Sequence, residues 1–273
     1  MELTWKGQLV RIREMGPGSG VPAVVLVHGY PLDGAMWSGV ARLLSRRFRV
    51  LKPDLPGRGE TAADSAGTMA DYADFLETIL RELPAPVGIA GFSMGGYATL
   101  ALLERRPERL AAVALVDTRA SADDDAGKAK REEAIATVRS EAGVAAIADA
   151  MVPRLLGASS LSNRDLVERV QRIIRRQSPA TVEADLTAMR DRPDRRGELS
   201  RVAIPALLVV GDQDTLTPPA DSELMAAAIP GARLVTIAGA GHLTPMERPG
   251  AVAAALDEFF GATLLAAGAA PPG

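Results

Sequence analysis

Six short apolar runs punctuate the chain: AVVLVHG (23–29), RVLKPD (49–54), PVGIAGF (86–92), LAAVALVD (110–117), PALLVVGD (205–212) and ARLVTIAG (232–239). Their apolar residues are largely continuous, not alternating, as expected for strands covered on both faces of a parallel sheet. Between them lie MWSGVARLLSRR (36–47), MADYADFLETILREL (69–83), GGYATLALLERR (95–106) and PADSELMAAAI (219–229), whose apolar residues recur at helical spacing. Strand alternating with helix predicts an α/β fold built on a mostly parallel, doubly wound sheet. Ahead of it, LTWKGQLVRIRE (3–14) reads as an antiparallel hairpin added at one sheet edge.

One segment breaks this rhythm. From about 119 to 201 there is no strand pattern, only helical patterns rich in charge and alanine. Ser162-Asn163-Arg164-Asp165 has the form of a capping box, and Ser178 followed by Pro179 marks another helix start. A connection this long is not an ordinary loop. Ligands of open α/β sheets bind beyond the carboxyl ends of the strands, so a helical insertion there reads as a lid. The expected organisation is a core of 1–118 and 202–265, a helical cap of 119–201, and a flexible tail of 266–273. Arg172, Arg175 and Arg176 in this cap read as a solvated helix face.

Composition narrows the chemistry. The 273 residues carry a net charge of −3 and no cysteine. The charge gives no reason to expect nucleic acid or an anionic membrane as partner. The lack of cysteine excludes disulfides, thiolate metal sites and a cysteine nucleophile. MELTWKGQLVRIREMG carries charges throughout, unlike a signal peptide, and no apolar stretch reaches the roughly 20 residues of a membrane span. The expectation is a cytoplasmic protein acting on a small molecule, with no metal or cofactor.

Within GIAGFSMGGYATL (88–100), Ser93 stands between Gly91 and Gly95 where a strand gives way to a helix. Residues without a Cβ permit a sharp turn there, and the helix end beyond offers N–H groups for developing negative charge. That context fits a nucleophilic serine; the plainer alternative is a Gly-rich turn with Ser93 as N-cap. A serine hydroxyl needs a neighbouring base, and the chain has two histidines, His28 and His242. His28, ending a strand, reads as a structural brace. His242, in IAGAGHLTPMERP after the last strand, is the expected base. The carboxylate that orients it is expected to be Asp214, in VVGDQDTLTPP, with Asp117 as rival and Asp54 and Asp212 as further strand-end candidates. Oxyanion donors are expected from the backbone N–H groups of Met94 and Tyr30, with Pro31 stiffening the loop.

These motifs together resemble the α/β-hydrolase superfamily: HGYPLDGAMW, DLPGRGET, GFSMGG, GDQDTLTPP and GAGHLTPMERP occur in that family's order. The resemblance implies Ser93 as nucleophile, Asp214 as acid, His242 as base, and Tyr30 and Met94 as the oxyanion hole. Serine at position 93 argues against the dehalogenases and epoxide hydrolases of this fold, which place aspartate there. Within the superfamily the chain is similar to small carboxylesterases, 3-oxoadipate enol-lactonases and cofactor-free haloperoxidases. Pro31 is similar to the proline of the perhydrolase branch, and the stretch after the serine helix, LVDTRASADDDAGKAKRE, to enol-lactonases. No basic cluster suited to a dicarboxylate is legible, although the cap holds arginines enough to supply one.

The expected function is a carboxylesterase cleaving short- to medium-chain esters through an acyl-enzyme. Enol-lactone hydrolysis, C–C hydrolysis and perhydrolysis are alternatives on the same triad. A receptor that keeps the fold without catalysis is a reading of another class; such proteins usually lack a triad member, and none is lacking here. Leu32, Trp37, Met151, Leu155, Leu156, Leu216 and Leu243 are candidates to line an acyl pocket, several of them equally suited to the core.

Overall fold

The computed structural model describes residues 1–58, 61, 67–84 and 86–265; the expected tail, 266–273, lies outside them. The chain opens with β1 (Glu2–Trp5), β2 (Gln8–Arg11) and β3 (Arg13–Met15). The expected edge hairpin is realised differently. β1 and β2 pair with each other in a separate two-stranded sheet, and only β3 joins the main sheet, antiparallel to β5 (Arg49–Lys52). Trp5 explains the separation: its ring packs edge-on against Phe75, 5.5 Å away, and its Nε1 donates to Asp74 at 2.9 Å, tying the hairpin to a helix.

The main sheet runs β3-β5-β4-β6-β7-β8-β9, with β4 (Ala23–Val27), β6 (Val87–Phe92), β7 (Leu110–Val116), β8 (Ala206–Gly211) and β9 (Arg233–Ile237). From β5 to β9 every pairing is parallel. β4, β6 and β8 are buried at every residue, the reason their sequences are apolar on both faces. β9 closes the far edge and is buried only at Ile237.

α1 (Ser38–Leu44), α2 (Met69–Arg81) and α3 (Met94–Glu104) connect the first strands. α2 starts at a capping box in which Thr68 accepts from the Asp71 amide and Asp71 accepts from the Thr68 amide. Between β7 and β8 stand five α-helices, α4 (Asp125–Arg139), α5 (Gly143–Leu155), α6 (Ala158–Leu161), α7 (Arg164–Arg175) and α8 (Pro179–Arg190), and a 3-10 helix, Arg196–Arg201. α8 begins as expected, with Ser178 as cap and Pro179 at the first position. α7 does not use the predicted box: Asn163 caps it, accepting from the Leu166 amide at 3.1 Å, so Ser162 falls outside the helix. α9 (Pro219–Ala228), α10 (Thr244–Glu247) and α11 (Pro249–Phe260) follow, with a last helical turn at Gly261–Leu265.

Several contacts tie the inserted helices to the loops after β4 and β5 and to α2. Arg176 is exposed, as expected of that helix face, and also binds buried Asp33 through Nε at 2.7 Å and Nη2 at 2.6 Å. Asp33 is buried, which raises its pKa, but the hydrogen bonds from Arg176 and the Ala35 amide, together with nearby positive charge, outweigh this and hold its carboxyl below the usual range. Deeper, Arg58 and Asp185 form an ion pair with both side chains fully buried, and Tyr72 donates to the same carboxylate. Thr181 donates to the Gly57 carbonyl at 2.9 Å.

Candidate active site

The parallel register brings the carboxyl ends of β4, β6, β7, β8 and β9 to one edge, where His28, Ser93, Asp117, Asp214 and His242 all follow their strands. Ser93 links β6 directly to α3 with φ 50° and ψ −114°. A non-glycine residue held there stores strain of order 1–3 kcal/mol, a conformation that recurs at functional sites. The flanking glycines supply space, not unusual torsions. A Cβ on Gly91 would lie 2.4 Å from Thr99 Oγ1, and one on Gly95 would lie 2.5 Å from the His28 carbonyl.

Ser93 occupies the N-cap position of α3, yet its side chain makes no capping bond. Its Oγ instead lies 2.9 Å from His242 Nε2. His242 Nδ1 lies 2.8 Å from Asp214 Oδ2. A carboxylate facing Nδ1 fixes the proton on that nitrogen and leaves Nε2 as the acceptor for the serine hydroxyl. Asp214 also accepts from the amides of Leu216 at 2.8 Å and Thr217 at 3.0 Å, and from the Thr217 hydroxyl at 2.7 Å. Burial raises its pKa, but the charge of His242 and these hydrogen bonds outweigh it, so the carboxyl sits below its ordinary value.

The remaining strand-end candidates have other partners. Asp117 accepts from the Gly211 amide at 2.9 Å and from the Thr244 hydroxyl. It is fully buried; desolvation and the nearby Asp214 charge push its pKa well up. Asp212 accepts weakly from the Ala240 amide at 3.3 Å, and Asp54 from Gly34 at 2.7 Å. His28 Nε2 accepts from the Leu55 amide at 2.9 Å while Nδ1 faces the Gly29 carbonyl at 3.1 Å. Burial and the Arg58 charge lower its pKa to about 4, so it is a neutral brace.

Sequence reasoning missed Glu247. Its Oε1 accepts from the amides of Gly241 at 2.9 Å and Leu243 at 3.2 Å, and its Oε2 from Gly157 at 2.8 Å. It thus holds both neighbours of His242 and the α5–α6 junction in one grip. The available signal was a carboxylate five residues beyond a histidine in a glycine-rich loop.

A cavity of about 440 Å³ opens over Ser93 and His242, lined also by Tyr30, Tyr97, Met151 and Leu216. Of the seven expected apolar lining residues only Met151 and Leu216 face it. Leu32, Trp37, Leu155, Leu156 and Leu243 are buried in the core instead. Their place is taken by Ile147, Leu186 and Met189 together with charged groups of α4 and α5 that the sequence did not single out. A cavity of similar volume lies at the opposite end of the sheet near Leu110 and Ile204, without imidazole or hydroxyl nucleophile. Among the described residues no group of three acidic, His or Cys side chains is placed to hold a metal, and no helix is long and apolar enough to cross a membrane.

The family model described as "alpha/beta hydrolase fold" matches residues 22–249. The chain is 31% identical over 245 residues to a pimeloyl-[acyl-carrier protein] methyl ester esterase of Nitrosomonas europaea, covering 85% of this chain and 92% of that one. Among solved structures it resembles a malate-bound thermophilic esterase of Thermogutta terrifontis, 36% identical with a TM-score of 0.87 and 93% of each chain covered. It also resembles the enol-lactonase of Burkholderia xenovorans, 27% identical with a TM-score of 0.87, covering 96% of this chain and all of that one (100%).

Proposed function

Because the chain belongs to the α/β-hydrolase family and is, by its relatives, an ester hydrolase, we propose that it cleaves short- to medium-chain carboxylic esters through a Ser93–His242–Asp214 triad. The observation carrying this reading is the continuous relay from Ser93 Oγ to His242 Nε2 at 2.9 Å and from His242 Nδ1 to Asp214 at 2.8 Å.

Ser93 Oγ attacks the ester carbonyl as its proton passes to His242 Nε2. The carbonyl oxygen becomes an oxyanion, received by the N–H groups of Met94 and Tyr30. Met94 is the first residue of α3, so the positive end of that helix faces the same charge. Asp214, held ionised by three hydrogen bonds besides that to His242, stabilises the imidazolium. The imidazolium proton leaves with the alcohol, giving an acyl-Ser93 ester. Water then attacks, His242 takes its proton, and the carboxylic acid is released with Ser93 restored.

In this reading the helical segment 119–201 acts as a cap over the core formed by 1–118 and 202–265, since α4, α5 and α8 supply walls of the cavity over Ser93. The test is a series of p-nitrophenyl esters of increasing acyl length, with the Ser93→Ala protein as blank. Turnover confined to the unmodified protein and optimal at short or medium chains supports the reading. Equal turnover by Ser93→Ala overturns it.

A further inference from the structure

Glu247 belongs to the loop of His242 and also reaches the inserted helices. Its carboxylate is buried at 7% exposure. Among the described residues its hydrogen bonds all come from main-chain amides, those of Gly241 and Leu243 to Oε1 and that of Gly157 to Oε2. Gly241 and Leu243 flank His242 in sequence, whereas Gly157 joins α5 to α6. A carboxylate is a stronger acceptor for amides than a neutral carbonyl, so one side chain fixes both segments at once. α10 keeps that side chain in place, because the Glu247 amide donates to the Leu243 carbonyl at 2.9 Å.

The two segments meet at close range. A Cβ on Gly241 would lie 2.4 Å from the Gly157 amide nitrogen, and one on Gly157 would lie 2.8 Å from the Gly241 nitrogen. Neither position has room for a side chain, so main chain packs on main chain and both amides turn to one carboxylate. The Leu243 amide also donates to the carbonyl of Leu155, the last residue of α5, at 3.0 Å. α5 in turn presents Ile147, Ala150, Met151 and Arg154 to the cavity over Ser93. The cavity wall and the loop of His242 are therefore joined through one short junction, with Glu247 at its centre. A displacement of about 1 Å at a reacting group can cost a hundredfold in rate, so what holds such a loop bears on the reaction.

We propose that Glu247 is a positioning residue of the reaction: by sharing its carboxylate among Gly241, Leu243 and Gly157 it sets His242 against Ser93 and makes the seating of α5 part of that setting. This rests on Ser93 and His242 being the reacting pair of the proposed hydrolysis. Glu247 does not line the cavity, so it acts only through the main chain it holds. The Glu247→Gln change leaves one oxygen for the two neighbours of His242 and sets an NH2 against the Gly157 amide, donor against donor, which releases the α5 side. Glu247→Ala releases both sides.

The experiment measures kcat and KM for the p-nitrophenyl ester series in the parent and both variants, each held well below its own unfolding midpoint. In Glu247→Ala kcat should fall by about a hundredfold, and in Glu247→Gln by less. In both, the preference among acyl lengths should flatten by roughly threefold or more as α5 loses its seat. Ser159→Ala, which cuts the contacts of Ser159 with Arg248 and Gly239 across the same junction, should keep kcat and the acyl-length profile of the parent. A purely structural role would lower the unfolding midpoint while leaving kcat and the profile unmoved. That result overturns the proposal, as does a lower kcat with an unaltered profile. If Glu247→Ala does not fold, the profile of Glu247→Gln decides. Ser93→Ala separates the proposal from the reading beneath it, because turnover that survives this change overturns the triad. The downfield resonance of the His242 Nδ1 proton, which needs no turnover, then decides for Glu247. A resonance moved in either variant supports positioning; one unmoved in both overturns it.

Discussion

Asp117, at the end of β7, accepts a hydrogen bond from the hydroxyl of Thr244, two residues beyond His242, and another from the amide of Gly211, three residues before Asp214. This buried carboxylate thus ties together the two loops that carry His242 and Asp214.

Replacing Asp117 with alanine leaves the buried Gly211 amide and Thr244 hydroxyl without an acceptor, a penalty of about 1–3 kcal/mol for each unsatisfied group. Asp117→Asn keeps one acceptor and loses less. Urea denaturation of the two variants checks the order; an alanine variant as stable as the parent contradicts it.

The buried Arg58–Asp185 pair anchors α8 to the segment after β5. Asp185→Leu strands a guanidinium in the interior and is expected to destabilise the protein by about 3–5 kcal/mol. Adding Arg58→Met removes the orphaned charge and restores most of the loss. Thermal unfolding of single and double variants measures this; a harmless single substitution means the pair carries no such anchoring energy.

The fold was legible because each buried strand wrote its environment as a continuous apolar run, and β4, β6 and β8 are buried throughout. The strand-to-helix turn at Ser93 was legible because Gly91 and Gly95 have neighbours too close for any side chain. The cavity wall was not. Helical periodicity separates buried from exposed positions, but Lys130 and Arg154 are exposed while facing a cavity, so they look like any solvated residue. Arg176 is exposed as its spacing suggests, but its partner Asp33 lies 143 positions away, beyond any local pattern. Leu155, Leu156 and Leu243 read as pocket residues because they adjoin the right loops, yet they pack inward.

Acid should weaken the fold through His28. Its folded-state pKa, about 4, lies below the ordinary value of 6.5, so the unfolded chain binds a proton first as pH falls. Stability contributed by the neutral ring is complete above pH 6.5 and is lost between 6.5 and 4. The 2.5-unit gap (6.5 − 4) corresponds to about 3 kcal/mol. Asp117, with its raised pKa, acts in the opposite direction as pH rises. The stability difference between parent and His28→Gln isolates the histidine: it should narrow by about that amount from pH 7 to pH 4. A constant difference contradicts the assignment.

Asp214→Asn removes the charge that stabilises the imidazolium and releases the tautomer constraint on His242. The expected loss is roughly 10⁴-fold in kcat, with the fold retained. Steady-state hydrolysis of p-nitrophenyl acetate measures it. A loss under tenfold would point to a different carboxylate, Asp117 being the adjacent one.

The central claim is that His242 makes Ser93 a nucleophile. Intact-mass spectrometry after treatment with a fluorophosphonate tests it most directly. The parent protein should gain one organophosphoryl adduct, mapped to the peptide containing Ser93, with activity lost in proportion. Ser93→Ala should gain none, and His242→Ala should label at least a thousandfold more slowly (a rough figure for loss of the general base). Labelling at any other residue, or full activity in a protein whose Ser93 is blocked, would contradict the account.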